Sequence, residues 1–213
     1  MDEKEVAKIL LKKNAVTLNT QKPYTYSSGI RSPIYCDNRL LAAFPQERKE
    51  IVRGFLDTLK GRDFDIVGGT STAGIQWAAW IAHELEKPMC YIRGSAKKHG
   101  KGKQIEGAPV DGKKVIVIED LISTGGSSFE AVQAVRDNKG NVNCVVAIFT
   151  YQLGAAKELF EKNTCEVYTL TNFSSLAETA KEEGYIDEDA LEIAKEWNQN
   201  PKEWGPKHGF PNA

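Results

Sequence analysis

The run Val115-Ile116-Val117-Ile118 limits what this 213-residue chain can become more than any other feature. Four consecutive β-branched residues without polar alternation describe a strand buried on both faces, as in a parallel sheet covered by helices on both sides. The run ends in two adjacent carboxylates, Glu119 and Asp120. It then passes through Ser123-Thr124-Gly125-Gly126-Ser127-Ser128 into a helical pattern at residues 127–138. Ligands of open α/β sheets bind outside the carboxyl ends of the strands. One segment therefore gathers an acidic pair, a glycine turn and a helix N-terminus at a single place.

The same alternation continues on either side, and βαβ repetition implies an α/β fold. Further strands are predicted at 64–67, 89–93, 114–119, 142–149 and 166–170, with helices at 75–86 and 155–162 between them. Flanking helices are predicted at 2–13, at 45–59 behind Pro45, at 174–183 and at 187–197, before a Pro/Trp/Gly tail. Residues 17–38 alternate polar and aromatic residues and read as a small antiparallel hairpin outside the main sheet. Residues 94–112 show no periodicity and are rich in Gly and Lys, which suits an active-site lid.

Composition narrows the setting. A formal charge of -1, from 28 basic and 29 acidic residues, offers no general attraction to nucleic acid or membranes. The acidic start, M-D-E-K-E-V-A-K, lacks a signal-peptide pattern, and no apolar run approaches the ~20 residues that span a bilayer. Cys36, Cys90, Cys144 and Cys165 are scattered without a C-x-x-C pair and read as core thiols. A cytoplasmic enzyme is expected. His83 and His208 have no metal-ligand spacing, while Trp77 and Trp80, at i and i+3, suit packing; none is assigned to a site.

The physical chemistry of the 119–128 segment divides in two. Backbone N–H groups of the Ser/Thr/Gly turn, aided by the helix dipole, can cradle a phosphate. Carboxylates repel phosphate but suit sugar hydroxyls or a magnesium ion. Together they describe a pocket for ribose 5-phosphate; in isolation the segment would be an N-capping loop with exposed acids. A second strand-end loop, Gly68 to Gly74, again offers backbone amides. A third segment, Arg93-Gly94-Ser95-Ala96-Lys97-Lys98-His99-Gly100, supplies cations suited to a departing diphosphate.

These motifs resemble those of the type I phosphoribosyltransferases, whose binding motif for phosphoribosyl diphosphate (PRPP) is a hydrophobic strand, two acids and a Thr/Gly-rich turn. The resemblance covers most of the chain, from about Tyr24 to about Glu183. It implies a central parallel sheet of about five strands flanked by helices, with a small N-terminal hood. Residues 1–213 would form one domain: helix and hood at 1–45, α/β core with the lid at 46–172, and C-terminal helices and tail at 173–213. R-x-x-x-K-x-H-G is similar to the catalytic loop of orotate phosphoribosyltransferases. S-G-x-x-S-P-x-Y, from Ser28 to Tyr35, resembles their orotate-holding stretch, and the spacing looks like a Gram-positive bacterial form.

What the resemblance implies is an Mg2+-dependent transfer from PRPP to orotate, giving orotidine 5′-monophosphate (OMP) and pyrophosphate. PRPP would be bound by Arg93, Lys97, Lys98, His99, Glu119, Asp120, Leu121, Ile122, Ser123, Thr124, Gly125, Gly126 and Ser127. Lys97, His99 and Asp120 would be catalytic, and Thr70, Ser71, Thr72, Ala73 and Gly74 would form the pyrophosphate loop. Ser123, with Ser28, Gly29 and Tyr35, would meet orotate, and no protein ligand is assigned to the metal. Relatives often carry Tyr and Lys where Thr72 and Ala73 stand, and some carry Lys and Arg where Ser27 and Tyr151 stand. No base-binding role is therefore transferred to Ser27 or Tyr151. The family also implies a homodimer whose lid crosses to the neighbouring subunit. Two other readings stay open: a phosphoribosyltransferase for another base, and a PRPP-sensing regulator without catalysis, disfavoured by the absence of an added DNA-binding domain or positive charge.

Overall fold

The computed structural model describes residues 1–26, 28–94 and 104–212. Its centre is a six-stranded sheet ordered β10-β9-β8-β5-β6-β7. In chain order these strands are β5 (Ile66–Thr70), β6 (Met89–Ile92), β7 (Ile105–Gly107), β8 (Val115–Ile122), β9 (Cys144–Thr150) and β10 (Glu166–Asn172). Five run parallel, while β7 is antiparallel to β6 at the edge.

The five strands expected are the five parallel ones, and the sixth, β7, lies inside the segment assigned to the lid. Three residues are too few to show a period in sequence. Gly107, at φ 100°, reads as loop but permits the approach of β6; a Cβ there would lie 2.7 Å from the Met89 carbonyl oxygen. Four strands, β5, β8, β9 and β10, also run further than expected at their carboxyl ends. β5 continues through Gly68 and Gly69, and β8 continues through its acidic pair because Glu119 pairs with Ala147 and Leu121 with Phe149.

Both faces of β8 are buried, as the apolar run required. Ile116 and Ile118 join a core with Phe55, Trp77 and Trp197. Val115 and Val117 face the other side, with Val132, Val135 and Phe160. The first core packs α1 (Glu3–Lys12), α2 (Pro45–Leu59), α3 (Ala73–Glu84), α6 (Phe173–Glu182) and α7 (Glu188–Gln199); the second packs α4 (Gly126–Asp137) and α5 (Gly154–Lys162). At the start of α1, Asp2 caps the Glu5 N–H at 2.8 Å and Glu5 returns a bond to the Asp2 N–H at 2.9 Å. All four cysteines are buried and unpaired.

The N-terminal hairpin is two short antiparallel pairs. β1 (Val16–Leu18) joins β4 (Ile34–Cys36), and β2 (Tyr24–Thr25) joins β3 (Arg31–Ser32). A helix absent from the sequence expectations, α8 (Pro201–Lys207), supports this hood. Its signal was available: Pro201 occupies the first helical turn, where proline is favoured. Trp204 anchors it in the core, and Trp197 Nε1 donates to the Arg31 carbonyl at 3.1 Å.

Close packing of α3 on β5 depends on Gly69, where a Cβ would lie 2.9 Å from Ala78 Cβ, Gly74 O and Ile75 Cα. Two of these atoms are backbone and cannot rotate away. Gly69→Ala is expected to destabilise the protein by about 1–3 kcal/mol, seen as a lower urea midpoint; an unchanged midpoint would contradict this packing account.

Candidate active site

The carboxyl ends of β5 and β8 lie side by side, since Gly68 pairs with Val117 and Gly69 with Ile118. Their two loops therefore meet. A cavity of about 290 Å³ is lined by Ser71, Thr72, Ala73, Glu119, Asp120, Leu121 and the turn from Ser123 to Ser127. A larger cavity of about 910 Å³ lies by α5 and β10, beside Phe160, Val167 and Tyr168. Size does not choose between them: only the smaller joins the acidic pair to the glycine turn and a helix start.

That turn is shaped by Gly125, at φ 80°, where any Cβ would also strike the Phe160 ring at 2.8 Å. Thr124, Gly126 and Ser127 are exposed, so the first amides of α4 face an open space. These N–H groups have no intrahelical partner by construction. Such a helix start suits an oxyanion.

The two acids have different surroundings. Glu119 is 7% exposed; Oε2 accepts from Ser128 Oγ at 3.0 Å and Oε1 from the Asp120 N–H at 3.0 Å. Asp120 is half-buried. Burial, then the charge and hydrogen bond of Glu119, push its carboxyl up to about 8, against a smaller downward pull from Arg39.

The other expected residues have varied places. Thr70 is buried and donates Oγ1 to the Ile118 carbonyl at 3.2 Å, tying β5 to β8 below the cavity. Gly74 is buried beneath it, and the Ser71–Thr72 peptide bond is cis. Ile122 points into the α4–α5 core. Arg93 is half-buried outside the cavity wall, its N–H donating to the Gln104 carbonyl at 2.9 Å. Ser28, Gly29 and Tyr35 lie in the hood, outside this wall; Gly29 turns the chain at φ 83°, and Tyr35 is 41% exposed. Lys97, Lys98, His99 and Ser27 lie outside the described residues. Tyr151 is 2% exposed among Tyr26, Phe149 and Trp197, and burial lifts its phenol well above the usual range.

Sequence reasoning missed the triplet Asp37-Asn38-Arg39 that follows β4. Fully buried Asn38 donates Nδ2 to the Asp120 carbonyl oxygen at 2.7 Å, which joins hood to site strand. Arg39 holds Asp37 through two hydrogen bonds of 2.6 and 2.9 Å and keeps that carboxyl below its usual range. The available signal was a polar triplet abutting a hairpin already associated with the site.

The phosphoribosyl transferase domain family matches residues 40–180. The orotate phosphoribosyltransferases of Listeria monocytogenes serovar 1/2a and of Coxiella burnetii are each 48% identical to this chain, over 95% of it and 98% of their own length. Among solved structures, Leishmania donovani UMP synthase superposes with a TM-score of 0.79 at 25% identity, covering 92% of this chain and 42% of that one. Mycobacterium tuberculosis orotate phosphoribosyltransferase in complex with PRPP gives a TM-score of 0.65 at 26% identity, over 83% of this chain and 99% of that one.

The raised Asp120 carboxyl has a consequence for stability. In the unfolded chain it ionises near 3.8, whereas folded it holds its proton to about 8. Between these values the folded state binds more protons, so stability from this group is present at acid pH and is lost as pH rises towards 8. The urea midpoint of the parent should fall more steeply from pH 4 to pH 8 than that of Asp120→Asn. Parallel profiles would contradict the assignment.

Proposed function

The chain belongs to the phosphoribosyltransferase family, and on that premise we propose that it carries the 5-phosphoribosyl group from PRPP to orotate. The products are OMP and pyrophosphate, on the route of pyrimidine (UMP) biosynthesis. The observation that carries this reading is the cavity in which the 123–127 turn and the Glu119–Asp120 pair face the 71–73 loop. A phosphate site, a diol site and a second amide-bearing loop match the three parts of PRPP. Relatives at 48% identity over nearly the whole chain point to orotate as the acceptor.

The bond from C1 of the ribose to the diphosphate oxygen breaks as the bond to the orotate ring nitrogen forms, through an oxocarbenium-like state. Amides of the Thr124–Ser127 turn hold the 5-phosphate. Asp120, with Glu119 fixed behind it by Ser128, meets the ribose hydroxyls and favours positive charge on the ring. Ser123 approaches the base, with Ser28, Gly29 and Tyr35 closing over it from the hood. Arg93, Lys97, Lys98 and His99 meet the diphosphate, and the 70–74 loop adds backbone donors. Lys97 and His99 act with the lid closed, excluding water.

Magnesium fits this pocket as a substrate-held ion. Both oxygens of Glu119 already accept protein hydrogen bonds, and no cluster of three or more His, Cys, Asp or Glu ligands occurs among the described residues. Magnesium commonly keeps waters and binds through substrate phosphates, so we assign it no direct protein ligand. When bound, it supplies charge neutralisation at the diphosphate. We further read the protein as a cytoplasmic homodimer whose lids cross between subunits, without nucleic-acid or membrane partners; the four free thiols suit a reducing compartment. Among the described residues no helix is long and apolar enough to cross a membrane.

Orotate consumption followed by ultraviolet absorbance, with PRPP and magnesium, tests the activity against guanine, xanthine, adenine and uracil as acceptors. Turnover with orotate is expected, and none with orotate would defeat the reading. Lys97→Ala should lower kcat by about 10²–10³, the range for loss of one transition-state charge partner, with orotate binding little changed. An unaltered kcat would remove Lys97 from the chemistry.

A further inference from the structure

We propose that Arg39 is the cation that recognises the carboxylate of orotate. This inference rests on the transfer to orotate proposed above. Arg39 follows hood strand β4 closely, and Asp37 fixes its guanidinium: Nε donates to Oδ1 at 2.6 Å and Nη2 to Oδ2 at 2.9 Å. A guanidinium carries five N–H donors in one plane. Asp37 uses the Nε–Nη2 edge, which leaves the Nη1–Nη2 edge preoriented for a second planar anion. The side chain is 63% exposed. Exposed ion pairs add little to stability, so a clamp of this geometry is better explained by what it positions.

Its neighbours place Arg39 near the pocket, although it is not among the residues that line it. Asn38, its chain neighbour, donates to the Asp120 carbonyl oxygen at 2.7 Å. The charge of Arg39 reaches both Asp120 and Tyr35. Tyr35 packs against Tyr24, tilted by 34° with centroids 5.4 Å apart, which gives an aromatic surface within the field of the fixed cation. A flat, anionic heterocycle is the ligand chemistry such a pair suits: ring on ring, carboxylate on fork.

The phosphates of PRPP have other partners, in the 123–127 turn and the 70–74 loop. The base carboxylate does not gain a cation from Tyr151, the position at which some relatives carry arginine. That tyrosine is packed in the core, and an uncharged, buried phenol cannot balance a carboxylate. Arg39 would supply the missing charge from the hood side.

The test compares the full-length parent with Arg39→Gln and Arg39→Lys in steady-state kinetics, varying orotate and PRPP separately. Arg39→Gln should raise the KM for orotate about tenfold or more, as loss of a charge-assisted pair implies, and leave the KM for PRPP unchanged. Arg39→Lys should recover only part, because lysine is a point charge without the fork. Inhibition by the uncharged amide of orotate should be equal in parent and Arg39→Gln, a result that general damage to the hood would not produce. An unchanged KM for orotate, or a rise confined to PRPP, overturns the assignment while leaving the function intact. No orotate turnover by the parent overturns the function and this inference together.

Discussion

Burial of β8 on both faces is the constraint on which the rest depends. A strand with Ile116 and Ile118 in one core and Val115 and Val117 in the other has no face left for solvent. Its polar residues can therefore appear only where the strand leaves the sheet. Glu119 and Asp120 stand close to that point, in the part of β8 that ends at Ile122, and helix α4 begins at Gly126 after a short turn, so its unpaired amides share the same cavity. Fixing β8 in the middle of a parallel sheet also sets β5 beside it, and with β5 comes the second loop. The pocket follows from strand order.

The acids illustrate how a hydrophobic fold tunes polar chemistry. The low-dielectric surroundings that make β8 stable also make two neighbouring charges costly. The structure answers by giving Glu119 two donors and leaving Asp120 with a carboxyl that holds its proton to about 8. Positive charge near Asp120 is favoured for the same reason. In the proposed reaction, a ribosyl ring that becomes cationic as diphosphate leaves would meet carboxylates suited to positive charge.

The hood is joined to this centre by few but specific contacts. Asn38 reaches the Asp120 carbonyl, while Trp197 and the tail hold Arg31 from behind. The family match spans residues 40–180, so the hood strands and the tail helix that supports them both lie outside it. These peripheral parts are where base selection would be placed, since in the proposed reaction the 119–128 segment, Ser123 apart, would meet phosphate and sugar groups common to any PRPP-dependent transfer.

Sequence by itself determined the parallel α/β sheet, the strand–acid–glycine segment and the helix that follows it. These are local: β-branched runs, glycine turns and capping residues act within a few positions, as the Asp2–Glu5 cap of α1 shows. Tertiary structure alone decided how far the strands run, because β8 extends past its apolar run only by pairing with β9. It decided β7 too, three residues with no period of their own, held by β6. The unequal environments of Glu119 and Asp120, the burial of Tyr151 and the seating of Asp37-Asn38-Arg39 against the site are likewise long-range effects. Each depends on which residues distant in sequence come within a few ångströms, and one-dimensional patterns carry no such distances.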